Sequence, residues 1–314
     1  GWPYPLGWPA ALFARLRGKF LVVNVESAPW RQEATSTSRA RRLRANLYER
    51  FARLCVNAAD LPMFTQEGYR DGLLKPGRHA YVDNASWIDG DLILSDVEAQ
   101  AVWEARPRSP LRLIFAGRVT EAKGVTVLLE AIHRLAQRQA AVAVDVIGEG
   151  DALPACRELA ASLKGPTTLN ILPPSPYGRE FFEILRRHHA VVVPSLSDEQ
   201  PRIIYDAYAQ ALPVLASDTP GNRSCILEGQ TGLLSPVGDV DALVDLVLKL
   251  VADPDLARAM GMNAPRLARG STHAAKQLRR GRLLHSLLHE GRPLSEILDL
   301  AEEPAAEFRA RARP

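Results

Sequence analysis

Cysteine is scarce in this chain. Three in 314 residues (Cys55, Cys156 and Cys225), odd in number and far apart, leave no disulfide framework and fit a reducing compartment. Long apolar runs are missing too. None approaches the roughly 18 residues that a membrane-crossing helix needs. No secretory leader pattern opens the chain, so a cytoplasmic location is expected. Charge of one sign is also lacking: 39 Lys and Arg stand against 36 Asp and Glu, a formal net charge of +3. The chain as a whole is therefore no polyanion binder, and no nucleic-acid partner is expected. Repeats of solenoid period are absent. His188-His189 lacks the spaced His, Cys or Glu partners of a zinc site and reads as a helix end, so no metal site is expected.

What is present is ordinary for a globular protein: 46% hydrophobic and 24% charged residues, in a length that suits two domains. From Pro110 onward, strand and helix patterns alternate, which predicts a parallel α/β sheet. Expected strands are 111–116, 142–147, 168–172 and 190–193. Expected helices cover 125–138, with Leu128, Leu129, Ile132 and Leu135 on one face, then 153–163, 180–187, 240–251 and a last one ending near Arg269. Gly148-Glu-Gly150 is a tight strand-to-helix turn, short of the full glycine fingerprint of dinucleotide binding.

The segment from Pro194 to Ser217 holds the most chemistry. A buried strand, Ala190 to Val193, ends in a polar loop, and Pro201 suits the start of a helix carrying Ile203, Ile204, Ala207 and Ala211. Asp198 lies in that loop and Asp206 inside the helix, with seven residues between them. A helix N-terminus offers free N–H groups to an anion, and flanking carboxylates accept hydrogen bonds from hydroxyls. Anion plus polyol is the chemical profile of a nucleotide sugar. The bland alternatives are an exposed helix position for Asp206 and a plain N-cap for Asp198.

This spacing resembles the retaining GT-B glycosyltransferases of glycosyltransferase family 4, the group 1 type. Their signature of two acids seven residues apart, then Ala-x-Ala and a Pro-Val strand, is matched by Asp198, Asp206, Ala207, Ala209 and Pro213-Val214. Pro201 and Arg202 stand at their usual offset. Aspartate replaces glutamate at both acidic positions, and Glu199 adjoins the first, so Asp198 or Glu199 holds the transferred sugar in this reading. Asp206 accepts from the ribose. Gly117-Arg-Val-Thr-Glu-Ala-Lys-Gly124 matches the family's basic turn, in which Arg118 and Lys123 grip the diphosphate. Fixed cations suit a leaving diphosphate that gains charge as the glycosidic bond breaks. The donor contacts implied are Gly117, Arg118, Lys123, Asp198, Glu199, Gln200, Pro201, Arg202 and Asp206. Ser217 and residues 218–221 are expected to line the site.

The resemblance implies an α/β GT-B fold whose first Rossmann-like domain is incomplete and whose donor domain is complete. The expected division is 1–107, 108–271 and a crossing helix with tail, 272–314. The opening, with Arg15-Leu-Arg-Gly-Lys19 before a strand at 20–25, reads like the middle of a first domain, so an N-terminally shortened chain is expected. Glu26 occupies the place of the family's catalytic histidine. Residues 83–110 are expected to link the domains, and the tail beyond Gly291 to be loosely ordered. Asp89-Gly-Asp91 looks like the metal-binding Asp-x-Asp of the GT-A fold but is expected to be a turn away from the site.

The implied activity is retaining, metal-independent, hexosyltransferase-type transfer from a UDP- or GDP-linked sugar to a glycan or lipid-linked acceptor, in bacterial surface polysaccharide or glycolipid synthesis. No cofactor is expected besides the donor itself. Arg39 to Arg53 is strongly basic, and Leu43, Leu47, Phe51 and Leu54 form a stripe at helical spacing. A solvated helix face is one reading, and peripheral contact with an anionic membrane is the other. Two other functions stay open: a donor-binding fragment without turnover, and a GT-B-like epimerase or phosphorylase.

Overall fold

The computed structural model describes residues 4–28, 30–34, 37–83, 86–196 and 201–301. Two compact units emerge, one of residues 1–85 with 276–314 and one of residues 86–275.

The first unit opens with α1 (Tyr4–Leu16), β1 (Val22–Val25), α2 (Trp30–Ala34), α3 (Arg39–Ala58), β2 (Leu61–Phe64), α4 (Glu67–Leu73) and β3 (Tyr81–Val82). Its three strands are parallel in the order β1-β2-β3. The helix α3 packs with Ala45, Ala52 and Val56 into a cluster that holds Val25, Trp30, Phe64 and Leu73. Small residues on that face let helix and sheet approach closely. The leucine stripe therefore points away from the core: Leu43 and Leu54 are 72% and 55% exposed, and only Phe51 is half-buried.

The second unit runs through α5 (Asp96–Ala105), β4 (Leu111–Ala116), α6 (Val125–Gln137), β5 (Val142–Ile147), α7 (Leu153–Ser162), β6 (Thr168–Leu172), α8 (Arg179–Arg186), β7 (Ala190–Val193), α9 (Ile203–Ala209), β8 (Val214–Ser217), α10 (Pro220–Arg223), β9 (Gly232–Ser235), α11 (Val240–Ala252) and α12 (Pro254–Gly270). Strand limits at 111–116, 142–147, 168–172 and 190–193 agree with the sequence pattern. The expected linker contains α5, opened by a capping box in which Ser95 and Glu98 satisfy each other's backbone amides. His188 and His189 lie beyond the end of α8, at the entry to β7.

Six parallel strands line up as β6-β5-β4-β7-β8-β9. Alternate side chains feed two cores, as the two-residue period of a strand requires. Leu111, Leu113 and Phe115 of β4 enter one, while Ile114 joins Val191 and Val193 of β7 in the other. Chain order reverses between β4 and β7. In open α/β sheets, ligands bind outside the strand C-termini at such a switch point.

The described residues close with α13 (His273–His285), a π-helical turn at Ser286–Glu290 and α14 (Leu294–Ala301). From Lys276 onward it belongs to the first unit. There Leu283 and Ile297 pack against Leu61, Met63 and Tyr81. The Lys276 ammonium lies 3.3 Å from Asp83 Oδ1. The expected loose order beyond Gly291 is thus corrected for 294–301, because Ile297 supplies a buried anchor.

Candidate functional site

The loops that leave β4 and β7 at the switch point are the two segments that carried the motifs. After β4 the backbone runs through Gly117 into a 3-10 turn at Glu121–Lys123, then enters α6 through Gly124. Gly124 adopts the left-handed region, φ 74°, which glycine takes without strain. A Cβ there would sit 1.7 Å from the Pro194 carbonyl oxygen. Leu196 N donates to Ala122 O at 3.0 Å. Basic turn and polar loop are thereby locked side by side. On the other flank, a Cβ at Gly148 would meet Gly117 O at 1.8 Å, and Val119 N donates to Glu149 O at 2.8 Å. Close loop packing is the reason for the Gly148-Glu-Gly150 turn.

Arg118 is exposed and Lys123 half-buried at this edge. The first turn of α6 opens beside them, adding backbone N–H groups and the positive end of a helix dipole. The arrangement suits a phosphate-bearing ligand.

Asp206 comes from α9 and is buried, 5% exposed, which removes the bland alternative of an exposed helix position. Its carboxyl accepts a 2.8 Å hydrogen bond from the Tyr177 hydroxyl. Burial lifts the Asp206 pKa to about 7, while the Tyr177 hydrogen bond and the Arg202 charge pull it back. Tyr177 is pushed upward by its own burial and by the negative charges of Asp206 and Asp89. Pro201 is buried at the entry to α9, and Arg202 lies 4.7 Å over the Trp87 ring. Asp89 is therefore beside the site, not remote from it, and Asp91 pairs with Arg179 at 2.8 Å. A 3-10 turn, Gly90–Leu92, carries the Asp-x-Asp, so the turn itself is as expected. Among the described residues no three His, Cys, Asp or Glu side chains gather as metal ligands.

The far wall is the end of β8. Ser217 Oγ donates to Ser195 O, and Asn222 Nδ2 donates to Ser217 O at 2.7 Å, which fixes the strand end against the β7 loop. Asp198, Glu199 and Gln200 lie outside the described residues. Glu26 belongs to the first unit, where it is exposed, accepts from Asn24 Nδ2 at 3.0 Å and takes the Thr65 hydroxyl on its backbone carbonyl. The structure thus gathers Gly117, Arg118, Lys123, Pro201, Arg202 and Asp206 within one unit.

Tyr177 and Trp87 escaped sequence reasoning. For Tyr177 a signal existed: it closes the proline-rich loop Pro173-Pro-Ser-Pro-Tyr177 at a strand C-terminus, where an open sheet binds ligands.

The sequence model of the family described as glycosyl transferases group 1 matches residues 98–267. A D-inositol 3-phosphate glycosyltransferase of Nocardia farcinica is 32% identical over 183 residues, covering 56% of this chain and 40% of that protein. The match thus spans under half of that relative's length. Among solved structures, a sucrose-phosphate synthase of Thermosynechococcus elongatus superposes with a TM-score of 0.70 at 19% identity, covering 89% of this chain and 72% of the other. Anabaena HepE in complex with UDP and glucose superposes with a TM-score of 0.61 at 17% identity, covering 87% and 73%. These likenesses establish the GT-B fold. With a family match over more than half its length, spanning both loops of the switch point, the chain belongs to the group 1 glycosyltransferases.

Proposed function

We propose that the second unit binds a nucleotide-diphosphate sugar, UDP- or GDP-linked, and that the protein transfers the sugar with retention and without a metal ion. One observation carries this reading: the basic turn of Arg118 and Lys123 is packed against the polar loop that leads to α9 and Asp206, at the sheet's switch point. Diphosphate and ribose thus have adjacent partners of suitable chemistry. Arg118 and Lys123 stabilise the departing diphosphate, Asp206 accepts from the ribose, and Asp198 or Glu199 takes the transferred sugar. A cation pair supplies the charge stabilisation that a metal supplies elsewhere. The UDP and glucose held by HepE are consistent with this donor class. Titration calorimetry with UDP- and GDP-sugars tests binding, and product anomer analysis after turnover in excess EDTA tests retention and metal independence. Absence of binding by either donor class overturns the reading, as does activity that EDTA abolishes and Mg²⁺ restores.

The acceptor in this reading is a glycan or a lipid-linked glycan of bacterial surface polysaccharide or glycolipid synthesis, met at the inner face of the membrane. The outward face of α3 supports a peripheral role. Leu43, Leu47 and Leu54 are exposed along it, and six arginines accompany one glutamate in the helix. Apolar residues flanked by arginine suit an anionic lipid surface. No described helix is long and apolar enough to cross a membrane. Flotation with phosphatidylglycerol vesicles, lost in Leu43→Ser/Leu47→Ser, tests the contact. Equal flotation by that variant removes α3 from it.

A further inference from the structure

Among the described residues, one side chain donates to the buried Asp206 carboxyl: Tyr177, at 2.8 Å. The two come from different elements, Tyr177 from the loop between β6 and α8 and Asp206 from α9. The tyrosine ring is held edge-on against Phe182, with centroids 5.6 Å apart, and tilted against Phe181 at 6.1 Å. Its hydroxyl therefore has a fixed position, while the residue remains 53% exposed overall.

We propose that Tyr177 is a positioning residue for the nucleoside half of the donor, its hydroxyl aiming the Asp206 carboxylate so that the pair reads the two ribose hydroxyls. The proposal rests on Asp206 as the ribose acceptor. An ionised carboxylate only accepts, so the phenol hydrogen is committed to it. The lone pairs of the phenol oxygen and of the second carboxylate oxygen stay available. Two adjacent acceptors match the two donors of a vicinal diol, and a 2′-deoxynucleotide leaves one of them unused. Without the phenol, Asp206 loses both its orientation and a hydrogen bond that favours its charged form.

Among the described residues, the charged groups bearing on Asp206 are few. Arg202 acts on it directly, Asp89 acts on Tyr177, and the neighbouring α12 and strands β7 and β8 contribute Ala264, Ala268, Val191, Val193, Val214 and Ala216 to the surrounding cluster. With the carboxyl titrating at about 7, nucleotide affinity follows the ionised fraction. It rises with pH up to about 7 and flattens above. Removing the Tyr177 hydrogen bond moves that rise to higher pH.

Titration calorimetry with UDP, GDP and their 2′-deoxy forms, between pH 5.5 and 8.5, tests this on the wild type, Tyr177→Phe and Asp206→Asn. Phenylalanine keeps the ring contacts, and a single cooperative thermal transition reports an intact fold. In Tyr177→Phe the expected result is roughly tenfold weaker ribonucleotide binding at pH 7, a pH rise displaced upward and a smaller ribo-to-deoxy ratio. In Asp206→Asn the pH step disappears. A Tyr177→Phe profile superimposable on the wild type overturns the role of Tyr177 while leaving Asp206 in place. Unaltered binding and pH dependence in Asp206→Asn overturn the underlying reading, and so does a wild type that binds neither nucleotide.

Discussion

Gly124 and Pro194 approach so closely that a single added carbon on the glycine would stand 1.7 Å from the proline carbonyl oxygen. This contact joins the two halves of the candidate site. Gly124→Ala is predicted to cost roughly 2–4 kcal/mol, from about 1 kcal/mol for a left-handed non-glycine residue plus displacement of one loop. Nucleotide binding should fall further than stability alone accounts for. Gly77→Ala, also at positive φ but with nothing within 4 Å, is the control and should cost only the conformational part. Urea denaturation of both variants distinguishes packing from conformation.

Arg118→Ala and Lys123→Ala are predicted to weaken UDP binding much more than uridine binding. Each charge-assisted contact to phosphate contributes about 1.5–3 kcal/mol, or roughly tenfold to hundredfold in Kd. Calorimetry with nucleoside and diphosphate side by side makes the comparison. Equal losses for both ligands place the residues away from phosphate.

Much of the second unit was legible because its strands are buried runs closed by Gly or Pro, as at Leu111–Ala116 before Gly117 and Ala190–Val193 before Pro194. Helix α3 was legible as a helix, and both readings of its leucine stripe, a solvated face or a lipid contact, set that stripe outward, where the structure has it. What the periodicity does not show is the opposite face: Ala45, Ala52 and Val56 take the core because close packing on the sheet favours small residues. The position of Asp89 was hidden for another reason: it is distant in sequence from Tyr177, and only the fold brings its charge to bear there. Tyr177 itself matches no motif, and its role depends on a hydrogen bond between two elements that sequence spacing does not encode.

The His188–Asp145 pair makes a separate prediction, on stability. Both histidine nitrogens lie 2.9 Å from an oxygen, Nδ1 from Ile184 O and Nε2 from Asp145 Oδ2. Burial alone would raise the Asp145 carboxyl, but hydrogen bonds from His188 and Asn170 bring it below the usual range. A depressed carboxyl pKa adds stability above the unfolded value and loses it as pH falls through the folded one. Asp145→Asn should therefore cost about 1–3 kcal/mol at pH 7, and the difference from wild type should shrink below about pH 4. Urea midpoints at pH 7 and pH 3.5 check it. A difference that is the same at both pH values refutes the lowered Asp145 carboxyl.

Asp206 should behave in the opposite sense, because its folded pKa of about 7 lies above the unfolded carboxylate value of about 3.9. The fold favours the protonated acid, so the wild type loses stability as pH rises from about 4 to 7, and the cost is fully present above that window. Asp206→Asn carries no such cost and keeps an oxygen to accept the Tyr177 hydrogen bond. It is predicted to be more stable than wild type by roughly 2–4 kcal/mol at pH 8 and close to wild type at about pH 4. The same substitution should weaken UDP binding roughly tenfold or more at pH 8, since a neutral amide is a poorer acceptor for ribose hydroxyls than a carboxylate. Thermal melts and calorimetry on one preparation measure both quantities. Gained stability with lost binding identifies a buried carboxylate retained for its ligand, at the expense of the fold. An asparagine variant that is less stable than wild type at pH 8 makes Asp206 a structural residue instead.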